Sequence, residues 1–424
     1  MNGTLFQIGL AAGVLFIGMA RATLADDFRK ASGQHIEITS DVASESEINE
    51  WVTSFDAAVD QWRAFWGLPE HALDSWSVKA FVMQNKTPFQ RAGLIEPRVP
   101  DFEQGYALGN SLWILKQPSD YYTRHLLLHE GVHSLAFDQF GGAGPSWFME
   151  GTAELLSTHS GSGATTQINQ LPVDRESVPY WGRLKLIRQR RDENAIPTLE
   201  TVMRYPNNLN GDAERYGWCW AAAMLLSEYD EYRDVFVAAA RSGRDSSSNF
   251  TRQIYQRLLP EWPALIARWR LMCHQLDYGF DWERERVELA VDDPRWDGQP
   301  ISLDIAADKG WQSLGVRLPA GIRCKISAQG RCVIAKRDKE WQSEPNGVTI
   351  EYVNGRPLGQ LTACLVPLRH KSQPLCEPLE IVSVNEQTEL RTTTESWLVL
   401  QINDSVGQRA DNAASYAVEL STAN

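Results

Sequence analysis

The chain predicts two domains of different class, an α+β domain followed by an all-β sandwich, and three observations carry that expectation. At 424 residues it is longer than one hydrophobic core normally supports. From about 44 to 280, two strand-like segments are set among long runs with apolar residues at helical spacing. After "AVDDPRWDGQP", 290 to 300, the pattern changes to short alternating segments separated by turns.

The order of elements follows from those periods. "MNGTLFQIGLAAGVLFIGMA" contains no acidic or basic side chain, and small residues follow it, as in a secretory signal cleaved after Ala25. Such cleavage would leave no transmembrane span in the mature chain, and it implies a secreted or periplasmic protein. "ESEINEWVTSFDAAVDQWRAFWG" reads as a helix, and "SVKAFVMQ" and "GYALGNSLWILKQP" read as strands. A helix starts near Ser119 or Asp120. "YGWCWAAAMLLSEYDEYRDVFVAAA" and "EWPALIARWRLMCHQL" are the clearest later helices. Residues 26–290 therefore form the α+β domain and 291–300 a linker. "GVRLPAG", "RCKISAQG", "GVTIEYV", "SWLVLQIND" and "SYAVEL" supply the strands of a sandwich over 301–424.

The formal charge of −13 comes without a long basic block, which disfavours nucleic acid and anionic membranes as partners. None of the six cysteines forms a CxxC pair, so a disulfide framework is expected rather than a cysteine metal site. The short spacings suggest Cys324 with Cys332 and Cys364 with Cys376, leaving Cys219 for Cys273, but six cysteines permit 15 pairings that sequence does not choose among, and buried free thiols are the alternative.

The chemistry is concentrated in "LLLHEGVHSLAFDQFGGAGPSWFMEGTAEL", 126 to 155. Four residues apart on a helix, His129 and His133 project from one face and can hold one ion. Glu130 then lies beside that ion, placed to take a proton from bound water. A catalytic site needs a third protein ligand and leaves the fourth position to water. Asp138, His159, Glu150 and Glu154 are the near candidates, with Glu150 strongest because Pro145 to Trp147 would start a second helix that folds back on the first. A third histidine six residues after His133 is absent, since Ala136 and Gln139 stand where Gly and His would be needed. His125, one turn before His129, reads as a supporting or packing residue, and His159 as solvated.

With "HEGVH" and "WFMEGTAEL" together, the segment resembles the gluzincin superfamily of zinc metallopeptidases. The resemblance implies a zincin-like fold for 26–290, zinc held by His129, His133 and Glu150, and Glu130 as general base. Glu154, one turn after Glu150, would accept a ligand histidine's ring N–H. Similar peptidases place an oxyanion-binding tyrosine at about the distance of Tyr216, here in "ERYGWCW". They also lay substrate along an edge strand before the zinc helix, the position of "ALGNSLWIL", 107 to 115.

"VLQINDSVGQRADNAASYAVEL", 399 to 420, sets acids and amides in a loop between two strands. It resembles the loop of calcium-dependent bacterial galactose-specific lectins, which implies Asp404, Gln408, Asp411 and Asn412 as calcium ligands. The expectation is thus an exported zinc metallopeptidase acting on peptides or proteins, with zinc and calcium as cofactors and galactose-type glycans as a second partner. Its rival is a catalytically inactive metal-binding or carbohydrate-binding scaffold.

Overall fold

A computed structural model describes residues 28–42, 44–209, 211–368 and 373–423, and the expected signal at 1–25 lies outside them. Among the described residues no helix is long and apolar enough to cross a membrane. The architecture is multidomain, with a mixed, mainly helical first part and antiparallel sheets stacked as a sandwich in the second.

The first part opens on a five-stranded sheet. Strands β1 (Arg29–Ser32), β2 (Ile36–Ser40), β3 (Val78–Met83), β4 (Gly105–Leu108) and β5 (Ser111–Leu115) pair in the order β1-β2-β3-β5-β4. The inner strands are parallel, and both edges run antiparallel to them. "ALGNSLWIL" is not one edge strand. It turns at Gly109, where φ is +55°, so that β5 lies inside the sheet and β4 forms the edge.

Helix α1 (Glu45–Phe65) starts with a capping box in which Ser44 and Glu47 satisfy each other's backbone N–H, and it buries Trp51, Phe55 and Trp62. After the short α2 (Lys86–Arg91) comes α3 (Asp120–Phe140), capped by Ser119 and ended by Gly141 at φ +72°. From Tyr121 to Ala136 every residue of α3 is buried, which makes it the central helix of its domain. Gly131 permits this. A Cβ there would lie 2.5 Å from the Phe55 ring, so only glycine lets α3 settle against α1.

Helix α4 (Ser146–Ser157) folds back on α3. It is followed by the hairpin β6 (His159–Ser160) and β7 (Gln167–Ile168), then α5 (Arg183–Asp192), α6 (Leu199–Val202) and α7 (Ala213–Glu228). Helices α8 (Asp230–Ala239), α9 (Ser248–Leu258), α10 (Trp262–Gln275) and α11 (Trp282–Glu285) complete this part.

The named strands of the second part all pair antiparallel. One sheet has the order β17-β10-β19-β8, from β8 (Ile301–Ala306), β10 (Arg323–Gln329), β17 (Gln387–Arg391) and β19 (Ser415–Thr422). The other has the order β16-β15-β18-β9, from β9 (Gln312–Leu318), β15 (Leu361–Pro367), β16 (Ile381–Ser383) and β18 (Ser396–Ile402). Hairpins β11 (Cys332–Lys336) with β12 (Glu340–Ser343), and β13 (Val348–Val353) with β14 (Arg356–Leu358), close the ends. Ile326, Leu398, Leu400, Tyr416 and Leu420 form the core between the sheets. A separate apolar cluster joins the two parts, with Ala264, Ala267 and Leu271 of α10 packed among Trp311, Val366 and Trp397.

The expected disulfides do not form, and all six cysteines are free and buried. Cys324 is the second residue of β10 and Cys332 lies beyond the strand's far end. At about 3.3 Å per residue the strand separates them well beyond the roughly 7 Å that a disulfide can span between Cα atoms. Cys376 is drawn instead into the helical core, its thiol directed to the Pro197 carbonyl at 3.4 Å, while Cys364 belongs to the cluster between the two parts. Cys219 and Cys273 remain separate thiols on α7 and α10.

Candidate metal centre

One turn of α3 separates His129 from His133, and the fold-back of α4 brings Glu150 across to them. Their donor atoms form a nearly equilateral triangle. His129 Nε2 and His133 Nε2 are 3.1 Å apart, and Glu150 Oε2 lies 3.2 Å from the first and 3.4 Å from the second. An ion with bonds of about 2.0–2.1 Å to tetrahedral ligands needs donors about 3.3 Å apart. Two imidazole nitrogens at this distance can share only one proton, and Glu150 Oε2 is buried with no hydrogen-bond partner. A divalent cation would satisfy all three lone pairs, so the residues present fit a metal ion.

Burial by itself would raise the Glu150 carboxyl, but the neighbouring His133 and His129 outweigh it and bring the group down to about 2. Glu130 responds the other way. Burial, with Glu150 adding to it and His133 opposing, pushes its carboxyl up to about 7. Glu130 also faces β4. A Cβ on Gly105 would meet Glu130 Oε1 at 2.6 Å, so the absence of a side chain at 105 gives the carboxylate its room.

Behind the triangle, Glu154 is 1% exposed and fully engaged. It accepts from Trp181 Nε1 at 3.0 Å, and from Arg183 through Nη2 at 2.6 Å and Nε at 3.3 Å. Burial opposes its ionisation, yet Arg183 and His125 hold the carboxyl well below the usual range. His129 Nδ1 is 3.8 Å from Glu154 Oε1, beyond hydrogen-bond length. His125, His129 and Glu154 also approach closely enough to form a metal-sized group. There, however, an ion would compete with the Arg183 guanidinium for a carboxylate that is already paired. His125 turns Nδ1 to the Ser157 carbonyl at 3.2 Å, consistent with a supporting residue.

Tyr216 lies on α7 with its ring centroid 6.3 Å from that of His129, beneath the Arg183 guanidinium at 5.6 Å. Burial and then Glu150 raise its phenol far above the ordinary value, so it remains a proton donor. His159 corrects the expectation of a solvated residue. It is 3% exposed, stacked on Tyr121 at 4.4 Å, and accepts from Arg124 Nε at 2.8 Å. Arg183 and Trp181 were missed by sequence reasoning, because nothing local in "VPYWGRLK" marks residues that meet Glu154 only after folding.

In the loop between β18 and β19, Asp404 and Asn412 meet and the other two candidates diverge. Asp404 Oδ2 accepts from Asn412 Nδ2 at 2.8 Å, while Asn412 Oδ1 is buried without a partner. Asp411 is turned to the Lys336 backbone N–H at 2.7 Å, and Gln408 is exposed. Burial pushes the Asp404 carboxyl up to about 6. The loop's own Arg409, not anticipated from sequence, is buried and donates to the Asp404 carbonyl at 3.1 Å.

No family model matches the chain, and no curated protein matches it. Among solved structures it is similar to one described as "EclA N-terminal domain; PllA-like lectin", at 23% identity over 29% of this chain and 95% of that one. The TM-score is 0.22, a likeness too slight to assign a fold.

Proposed function

We propose that the protein is an exported zinc metallopeptidase of the gluzincin type, with a zincin-like domain that hydrolyses peptide bonds. The observation carrying this reading is the triangle of two imidazole nitrogens and one carboxylate oxygen at tetrahedral spacing, with Glu130 next in sequence to one of its members. Two nitrogens and one oxygen suit zinc and leave a fourth position open, as catalytic rather than structural sites do. A zinc ion held there would supply a water acidified to a pKa of about 7 and polarise a carbonyl.

The chain's residues have distinct tasks around that chemistry. His129, His133 and Glu150 hold the ion, and Arg183 and Trp181 keep Glu154 fixed behind His129. Glu130 takes the proton of the attacking water and delivers it to the departing amine. Tyr216, which keeps its proton, donates to the oxyanion as it forms. The β4–β5 ladder pairs Leu115 N–H with the Gln104 carbonyl, and its alternation turns the backbone groups of Gly105 and Ala107 outward. A peptide pairing with that edge would cross Glu130 in extended form without its side chains being selected.

The test is Glu130→Gln measured beside the native chain for bound zinc and for hydrolysis of casein and varied peptides. Native hydrolysis abolished by chelator, with a variant that keeps zinc and loses turnover, is the expected result. A native chain that carries stoichiometric zinc and cleaves nothing would establish the inactive-scaffold reading instead.

A second reading, calcium and a galactose-type sugar at the 404–412 loop, is supported by the unpartnered Asn412 Oδ1 beside the buried Asp404. The exposed Gln408 and the diverted Asp411 weigh against it. Calcium-dependent stabilisation of the full chain, together with binding on a glycan array, is its test.

A further inference from the structure

Helix α5 has a functional group at each end. Its first residue, Arg183, holds the Glu154 carboxylate behind His129. Near its other end Arg188 bonds Asp277, and Arg191 reaches the His274 and Leu276 carbonyls, each at 3.3 Å. Ten residues of helix span about 15 Å, so α5 is a rod from the metal centre to the 274–281 segment.

That segment is where the β domain seats. Gly279, at φ +79°, lies against Gly407 so closely that a Cβ there would be 2.5 Å from the Gly407 Cα. Next to it Arg409, 1% exposed, reaches out of the 3-10 turn Val406–Asp411 and pairs with Glu285 of α11. It also donates to Gln401 Oε1 and the Asp404 carbonyl, each at 3.1 Å. A cavity of about 500 Å³ runs along this joint, with Arg191, His274 and Tyr278 on one wall and Asp404, Val406 and Gln408 on the other. The loop that resembles a glycan site therefore faces the helical part of its own chain.

We propose that the β domain is a positioning element of the metal centre, with Arg409 as the plug that fixes Glu285 and Gln401, the latter bonded in turn to Gln275, so that the 274–281 segment and, through α5, the Arg183–Glu154 pair are held in place. This rests on the metal-site reading. Glu154 acts on His129 by its charge at 3.8 Å from Nδ1 rather than by a hydrogen bond, and outer groups beside a metal ligand typically contribute 10–100-fold in metal affinity. Arg409→Met should therefore lower zinc affinity of the full-length chain by about tenfold, read by competition with a chromophoric chelator. Arg191→Met, which removes α5's bonds to the His274 and Leu276 carbonyls while leaving Arg188–Asp277 and the plug intact, should lower affinity in the same direction. The double variant Arg409→Met with Glu285→Leu replaces a buried ion pair by an apolar one and should recover affinity. Leu390→Ala, in the outer sheet of the sandwich, destabilises without touching the joint and should leave affinity unchanged.

The cobalt-substituted protein gives a readout independent of turnover, since its visible spectrum should shift in Arg409→Met and Arg191→Met alone. Unchanged affinity and spectrum in both of these variants would overturn the proposal and leave the metal site standing. An equal loss in Leu390→Ala would also overturn it, by showing that general stability is responsible. Failure of the native chain to bind zinc at all would remove the metal-site reading itself.

Discussion

Replacing Gly105 by alanine perturbs the general base without touching any metal ligand. The new methyl would lie 2.6 Å from Glu130 Oε1, 3.1 Å from its Cγ and 3.2 Å from its Cδ. Ordinary contacts between carbons are about 3.5–4.0 Å, so the deficit is roughly 0.5 Å at the stem and more at the oxygen. Turning the carboxylate alone cannot relieve a clash that includes Cγ, and Glu130 is buried with little space to retreat. A misplacement of about 1 Å can cost about 10²-fold in rate, equivalent to about 2.7 kcal/mol. The expected outcome is kcat lower by about two orders of magnitude with zinc content unchanged, measured on a peptide substrate beside Glu130→Gln. A Gly105→Ala enzyme that holds its zinc and turns over within twofold of the native rate would refute the reasoning about this contact.

Three further outcomes can be checked. Tyr216→Phe should retain zinc and lose about 10²-fold in kcat with little change in KM, and an unaltered kcat would reduce Tyr216 to a packing residue. Arg183→Met leaves Glu154, 1% exposed, without its cation, and should cost about 3–5 kcal/mol in a denaturant titration; a loss below about 1 kcal/mol would show that the pair is not what stabilises this layer. His159 is held at about 3 by burial, then by Arg124, against 6.5 for the free group. The unfolded chain therefore binds the extra proton between those values, and the stabilisation is complete above pH 6.5 and falls as pH is lowered toward 3. About 1.7 kcal/mol should be lost from pH 6.5 to pH 5, seen as a urea midpoint shift that His159→Gln flattens; an equal slope in both proteins would contradict the assignment.

Local geometry explains how much could be read without coordinates. Four-residue spacing determines a shared helix face whatever surrounds it, so the convergence of His129 and His133 was legible in "HEGVH", and the Pro145 turn made the return of Glu150 legible too. The same holds for the change from helical to alternating periodicity after residue 300, since side-chain direction repeats with the backbone's own period. "ALGNSLWIL" marks the limit of that reading. Its residues are strand-forming, but only pairing partners decide that β5 is enclosed between β3 and β4 while β4 is left at the edge beside Glu130.

What tertiary structure alone decided concerns groups far apart in the chain. Arg183 and Trp181 meet Glu154 across 29 and 27 residues, and Arg409 meets Glu285 across 124. The cysteine pairs suggested by short spacing fail for the same reason, because strand direction carries Cys332 away from Cys324 and domain packing draws Cys376 into the helical core. His159 looked polar and loop-bound, yet it is buried against Tyr121 and Arg124. Sequence periodicity encodes which way a side chain leaves its own backbone; which distant group it then meets is set by the packing that buries both, and a buried charge such as Glu154 or Arg409 persists only where that packing supplies its partner.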